Sequence, residues 1–397
     1  MRLETTNDQT DSAQDDAEVA YVIRVATAYF LLSHGEENRL DFAKRIVAAL
    51  DADSRVTIAT SPDLDEAWSP ELTVYTPMQA GEEIATSGAL EGTRHAHVQM
   101  FSDPIAFQLR VPAKNQPKVF ESDEIPSEDY FVLWNGATLL VAWEQRAEDR
   151  VGASGGHIVE EVLEQAATTA GGDLMIQACN PQCKYVFLHT AIRVVIEPGS
   201  ETDWSTSLAG NHADLLEIVL DEGDSLIDAA LSVWYRLVGP LREFAGVKNR
   251  GRQILELEQI ARADLDGLNR LHHERASATQ RRVGRRVAAL WEFRSWRRTS
   301  RFYLARLWLA LGTLERLRRA WRDDYLSFLR SIEEEHVQDL FTIDSYEEVR
   351  MIDELDLSLI ESAVQHADDR LSSNILALAT AGGAIAGAVV AGLISLH

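Results

Sequence analysis

Ile375 to Leu396 reads ILALATAGGAIAGAVVAGLISL, 22 residues without one charge. At 1.5 Å per residue, a helix of that length crosses a hydrocarbon core of roughly 30 Å. The stretch is expected to be a single C-terminal transmembrane anchor (371–397) with the bulk of the chain on the cytoplasmic side. A buried core helix is the alternative, although such helices are usually shorter. The stretch is built from small residues more than from leucine. Gly383 and Gly387 form a GxxxG pair extended by Ala391, and Thr380, Ala384, Ala388 and Gly392 make a second row. Small residues at i and i+4 let helix backbones meet closely in lipid, where no hydrophobic force drives association. Thr380, Gly383, Gly387, Ala391 and Gly392 are therefore expected to pack anchors together in a homo-oligomer.

The net charge of −25 argues against nucleic acid as a partner of the whole chain. Cys179 and Cys183 are the only cysteines, too few for a disulfide framework and consistent with a reducing compartment. The opening MRLETTNDQTDSAQDDAE lacks an apolar h-region, so no signal peptide is expected.

The predicted fold class is α+β. It comprises a disordered acidic tail (1–17), a mixed α/β domain (18–200), a long antiparallel helical stalk (201–370) and the anchor. Val19–Leu32 reads as a long buried strand, Glu36–Leu50 as a helix and Arg55–Thr60 as a strand. Leu72–Tyr75, His95–Phe101 and Ile105–Val111 are further strands. Tyr130–Trp143 is a hairpin, with Asn135-Gly136 as a type I′ turn. His157–Thr169 is a helix stopped by Gly171-Gly172. Leu174–Ala178 and Ile192–Ile196 close the domain, and Pro198-Gly199-Ser200 marks its end.

Three features of this half bear on chemistry. Gly152-Ala-Ser154-Gly-Gly156 fits the G-x-S-x-G pattern, which would make Ser154 the nucleophile of a hydrolase. The same glycines suit an anion at a helix start, or a plain flexible loop. Cys179, Cys183 and His189 could hold zinc, with His157 as fourth ligand; two buried thiols beside an Asn-Pro turn are the alternative. His95 and His97 share one strand face, a metal edge or ordinary histidines.

In the stalk, Ala213–Phe244 carries helical spacing interrupted near Gly239-Pro240, and Ile254 to Leu271 gives a second amphipathic helix. Leu304, Leu307, Leu311, Leu314, Trp321, Tyr325, Phe328 and Ile332 form a third seam. Ser345 and Glu348 form a capping box starting a last helix, which would run 50 residues from Glu347 to Leu396, about 75 Å. Charge separates along this half. Arg281 to Arg322 holds thirteen arginines against Glu292 and Glu315, and Asp323 to Asp369 holds fifteen acids against Arg330 and Arg350. Mutual neutralisation across a hairpin is one expectation. The sharper one places Arg281, Arg282, Arg285, Arg286, Trp291, Arg294, Trp296, Arg297, Arg298 and Arg301 against the anionic inner leaflet of the bilayer. A nucleic-acid interface is the weaker reading of that stripe.

An α/β domain, long amphipathic helices and a terminal helix entering the membrane together resemble the architecture of CorA-type magnesium channels. The resemblance implies a ring-like oligomer with clustered terminal helices. The family's Gly-Met-Asn signature and second span are absent from this sequence, so it implies no magnesium selectivity. The expected function is a cytoplasmic domain that senses a protein or small molecule, coupled to a channel-like or membrane-perturbing element. A tethered adaptor without pore activity and a tethered metal-dependent or serine hydrolase are the alternatives.

Overall fold

The computed structural model describes residues 19–32, 39–60, 71–75, 93–98, 101, 103–146, 150–177, 186–196, 205–208, 215–220, 225–281 and 286–369. The acidic tail, Cys179, Cys183, Arg282, Arg285 and all of 370–397, with Thr380, Gly383, Gly387, Ala391 and Gly392, lie outside these residues. Among the described residues no helix is long and apolar enough to cross a membrane.

The fold is mixed α/β with long helices. Its sheet is organised on β1 (Val19–Leu32), whose apolar residues on both faces suit a strand covered twice over. One edge of β1 pairs antiparallel with β7 (Thr138–Arg146), from Val19 opposite Arg146 to Thr27 opposite Thr138. The other pairs first with β9 (Ala191–Ile196), then with β8 (Asp173–Gln177). β6 (Asp129–Trp134), β5 (Ile105–Arg110) and β2 (Val56–Thr60) continue beyond β7. β4 (Thr93–Val98) pairs with the end of β1 and with β3 (Glu71–Tyr75).

The sheet runs past residue 200. β10 (Ser205–Leu208) and β11 (Leu215–Leu220) extend it, β11 lying parallel to β9. Residues 215–220 were expected to be helical. LLEIVL is too short an apolar run for periodicity to separate helix from strand, and pairing with β9 decides the matter.

One sheet face is covered by α1 (Arg39–Asp51) and α2 (Ile158–Ala170). Gly171 ends α2 in the left-handed region (φ 83°), with Gly172 N–H donating to the Ala167 carbonyl, the expected glycine stop. The β6–β7 hairpin forms as expected, but its turn is not type I′. Among its residues only Gly136 has positive φ. Asn135 supplies the closure instead: its Oδ1 accepts from Ala137 N, Thr138 N and Thr138 Oγ1 at 2.8–3.1 Å.

The opposite face is covered by α3 (Leu226–Arg281), which starts where Ser225 caps Asp228. It runs through Pro240 without the expected break. Pro240 forfeits a helical hydrogen bond at about 3 kcal/mol, and burial of Leu237, Leu241 and Phe244 outweighs that. α4 (Arg286–Glu334) returns antiparallel along α3, burying Leu304, Leu307, Leu314, Trp321, Phe328 and Ile332 as the seam predicted.

The last helix differs most from expectation. α5 (Gln338–Asp353) begins well before Ser345, which sits in mid-helix donating to the Thr342 carbonyl. Glu348 turns sideways to α3, so no capping box forms. The helix stops at 354–357 and restarts as α6 (358–369), where the Asp356 carboxylate accepts from Ser358 N at 2.9 Å. No unbroken 50-residue helix runs from Glu347.

Candidate functional site: the polar junction at α5

Between α4 and α5 the chain reverses at His336, which holds φ 56°. Val337 N–H then donates to the Ile332 carbonyl at 3.0 Å, and Val337 is fully buried. This is the Schellman stop with histidine where glycine is usual. It delivers Phe341 onto Phe244 and Phe328, all three rings 5.2 Å apart.

The helical period then aligns Asp344 with Glu348, and both carboxylates are buried, at 0% and 2% exposure. Asp344 takes two hydrogen bonds from His189, one from its backbone N–H (3.0 Å) and one at Nδ1 (2.9 Å). Glu348 meets Lys248 of α3 at 3.1 Å, and the Lys248 ammonium also lies 5.3 Å from the Phe244 ring centre. Burial pushes the Glu348 carboxyl above its ordinary range, and Lys248 opposes that. Gly251 makes the approach possible, because a Cβ there would collide with the Glu348 carboxylate. Trp321 stacks on Tyr325 (5.3 Å, 6°) beside this pair, and burial raises the Tyr325 hydroxyl while Ser345 lowers it. The junction therefore ties the sheet, α3 and α5 through two buried carboxylates.

Of Cys179, Cys183 and His189, the three expected zinc ligands, only His189 is among the described residues. A carboxylate on Nδ1 fixes the imidazole ring, as it does for metal-ligating histidines. Among the described residues no group of three or more His, Cys, Asp or Glu could hold a metal ion. His157, the expected fourth ligand, packs edge-on against Phe187. His95 and His97 lie opposite Thr73 and Glu71 on β3. Asp344 was not foreseen, being 155 residues from His189 with no local motif to mark it.

Ser154 is not placed as a nucleophile. It is 1% exposed; its Oγ donates to Asp123 Oδ2 at 2.6 Å and accepts from Val119 N at 2.7 Å. The glycine turn is closely packed: a Cβ on Gly155 would meet the Trp143 ring at 2.8 Å, and Gly156 has φ 83°. Arg24, nearly buried, donates to the Gly152 carbonyl. Together these bonds pin 119–123 and β1 to the start of α2.

Next to this clamp, burial first and Arg24 second push the His157 imidazole down to about 4. Its Nε2 is buried without a hydrogen-bond partner. The folded state thus refuses a proton that the unfolded chain accepts below about 6.5. Stability from this group is complete above pH 6.5 and is lost as pH falls toward 4, by about 3 kcal/mol. Urea denaturation should show this loss, and His157→Phe should flatten it.

The arginine-rich stretch occupies the far end of the α3–α4 hairpin. Arg281 ends α3; Arg286, Trp291 and Arg294 lie in the first turns of α4. Trp296 and Arg297 are half-buried, while Arg298 and Arg301 are exposed. The described ion pairs do not follow the expected neutralisation of this stretch by 323–369. Arg306 pairs with Asp264 of α3 at 3.0 Å, and Arg319 with Glu315 of its own helix. Burial raises the Asp264 carboxyl, and Arg306 works against that.

The path of α5 and α6 is set by two observations. Arg318 donates to the Ile352 carbonyl at 3.4 Å. Ile360, Val364 and Ala367 share one core with Leu304, Leu307 and Ala310. In comparisons with protein-family models, curated proteins and solved structures, nothing matches this chain.

Proposed function

We propose that the chain is a membrane-anchored, oligomerising protein. Its α/β body binds or senses a protein or small molecule, and Ile375–Leu396 serves as a channel-like or membrane-perturbing element. The observation that carries this reading is the burial of Ile360, Val364 and Ala367 of α6 in the one core that also holds Leu304, Leu307 and Ala310 of α4. In sequence the uncharged stretch begins six residues after Asp369, and arginines such as those of α4 favour the anionic leaflet. Trp308 and Leu309, 43% and 51% exposed, add apolar side chains midway along α4. Leu359 is exposed as well, near the start of α6.

The test is the full chain in detergent and in vesicles. Wild type is expected to form a defined oligomer and to make vesicles permeable. Gly383→Leu with Gly387→Leu should abolish the permeability and the part of the assembly that depends on 375–396, because two added isobutyl groups separate the backbones. An unchanged assembly and unchanged permeability would reject the pore. An oligomer without permeability would leave an anchored adaptor.

A further inference from the structure

We infer that α5 is an exchangeable element, which docks onto the α3 groove and sheet of a second copy of this chain as readily as onto its own. This deepens the oligomer part of the preceding reading, but the contact lies at α5 and not in 375–396, so the two fail separately.

Three features support it. The connection between α4 and α5 is three residues, 335–337. It turns on His336 at φ 56°, a conformation whose steric cost only glycine escapes. Glu333, Glu334 and Glu335 are good helix formers, so returning His336 to helical geometry joins α4 and α5 into one straight helix and removes that cost. Short hinge loops under strain invite exchange between identical chains.

The docking contacts themselves are specific. His189 for Asp344, Lys248 for Glu348, and the space left by Gly251 would be offered identically by a second copy. The straight form carries α6 away with α5, and with Ile360, Val364 and Ala367 apolar neither can be left free in water. It would strand two carboxylates' partners and the aromatic group of Phe244, Phe328 and Phe341 without cover. A second copy in the same state supplies the missing surface.

Charge reversal tests this directly. Lys248→Glu and Glu348→Lys are made in separate, differently tagged full chains, both also carrying Gly383→Leu and Gly387→Leu to silence the anchor. Neither chain can dock its own α5, but each groove matches the α5 of the other. Co-expression should give a 1:1 complex recovered at least tenfold more than either chain with itself. If the single variants are insoluble alone, soluble yield should return only on co-expression. The chain carrying both reversals is the folding control and should behave as wild type.

No 1:1 recovery alongside a folded control would overturn the inference. A second series needs no charge reversal and decides the matter if that control fails. His336→Gly should lower the dimer fraction and His336→Ala raise it, at least tenfold apart; equal fractions would overturn the inference as well.

Discussion

Lys248→Ala is expected to destabilise the fold by about 3–5 kcal/mol, the cost of leaving a buried charge without its partner. Glu348 is 2% exposed, and Lys248 is its described partner on α3. The paired change Lys248→Met with Glu348→Leu should recover most of this, since buried ion pairs replaced by apolar residues of similar volume are often neutral or better. The comparison separates the worth of the pair from the penalty of breaking it.

The single variant should also acquire a pH dependence of known sign. Burial raises the Glu348 carboxyl, and removing Lys248 removes the group that lowers it. A folded state with the higher pKa binds the proton more tightly. Its stability is full below the unfolded value of about 4.3 and falls as pH rises through the folded value, by up to about 1.4 kcal/mol per unit. Lys248→Ala should therefore be closest to wild type at acid pH and furthest from it near pH 8. Urea denaturation at pH 5 and pH 8 measures both effects. An equal deficit at the two values would mean that Glu348 is not the group left stranded.

The second large effect concerns lipid. Arg286, Arg294, Arg298 and Arg301 changed together to glutamine should weaken binding of residues 1–369 to anionic vesicles by about 10³. Each arginine near such a surface contributes about 1 kcal/mol, and a factor of ten is about 1.4 kcal/mol. Binding should fall in high salt, where the screening length shortens to about 3 Å. Neutral vesicles should not distinguish the variant from wild type. Co-sedimentation reads the result, and equal retention of both proteins on anionic vesicles would detach the hairpin from the membrane reading. The same arginines leave Trp308 and Leu309 untouched, so any residual binding reports the apolar share.

Much of the fold was legible because local pattern and tertiary demand agreed. β1 could be read from its β-branched and aromatic residues, α2 from its glycine stop, and the α4 seam from its spacing, each being set by residues close in sequence. The pattern failed where long-range contact decides. LLEIVL became β11 because β9 offered a parallel edge. Pro240 stayed helical because its neighbours are buried. Ser345 and Glu348 have the spacing of a capping box, yet the helix had begun at Gln338, since the stop was a histidine in the left-handed region, where glycine is the usual signal. The junction itself was invisible. Asp344 meets His189 and Glu348 meets Lys248 across 155 and 100 positions, and no local motif connects either pair.

The position of β1 has a consequence for synthesis of the chain. Val19 pairs with Arg146, and Tyr21 with Val194. At 5–20 residues per second, β1 waits on the order of ten seconds for its first edge and longer for its second. The hairpin of α3 and α4 waits less, because it closes from its turn outward, with Asp264 and Arg306 only 42 positions apart. A strand apolar on both faces therefore spends its early life unpaired. The nascent chain is most exposed to aggregation before β7 has been made, and this protein should depend on chaperones at that stage more than its helical half does.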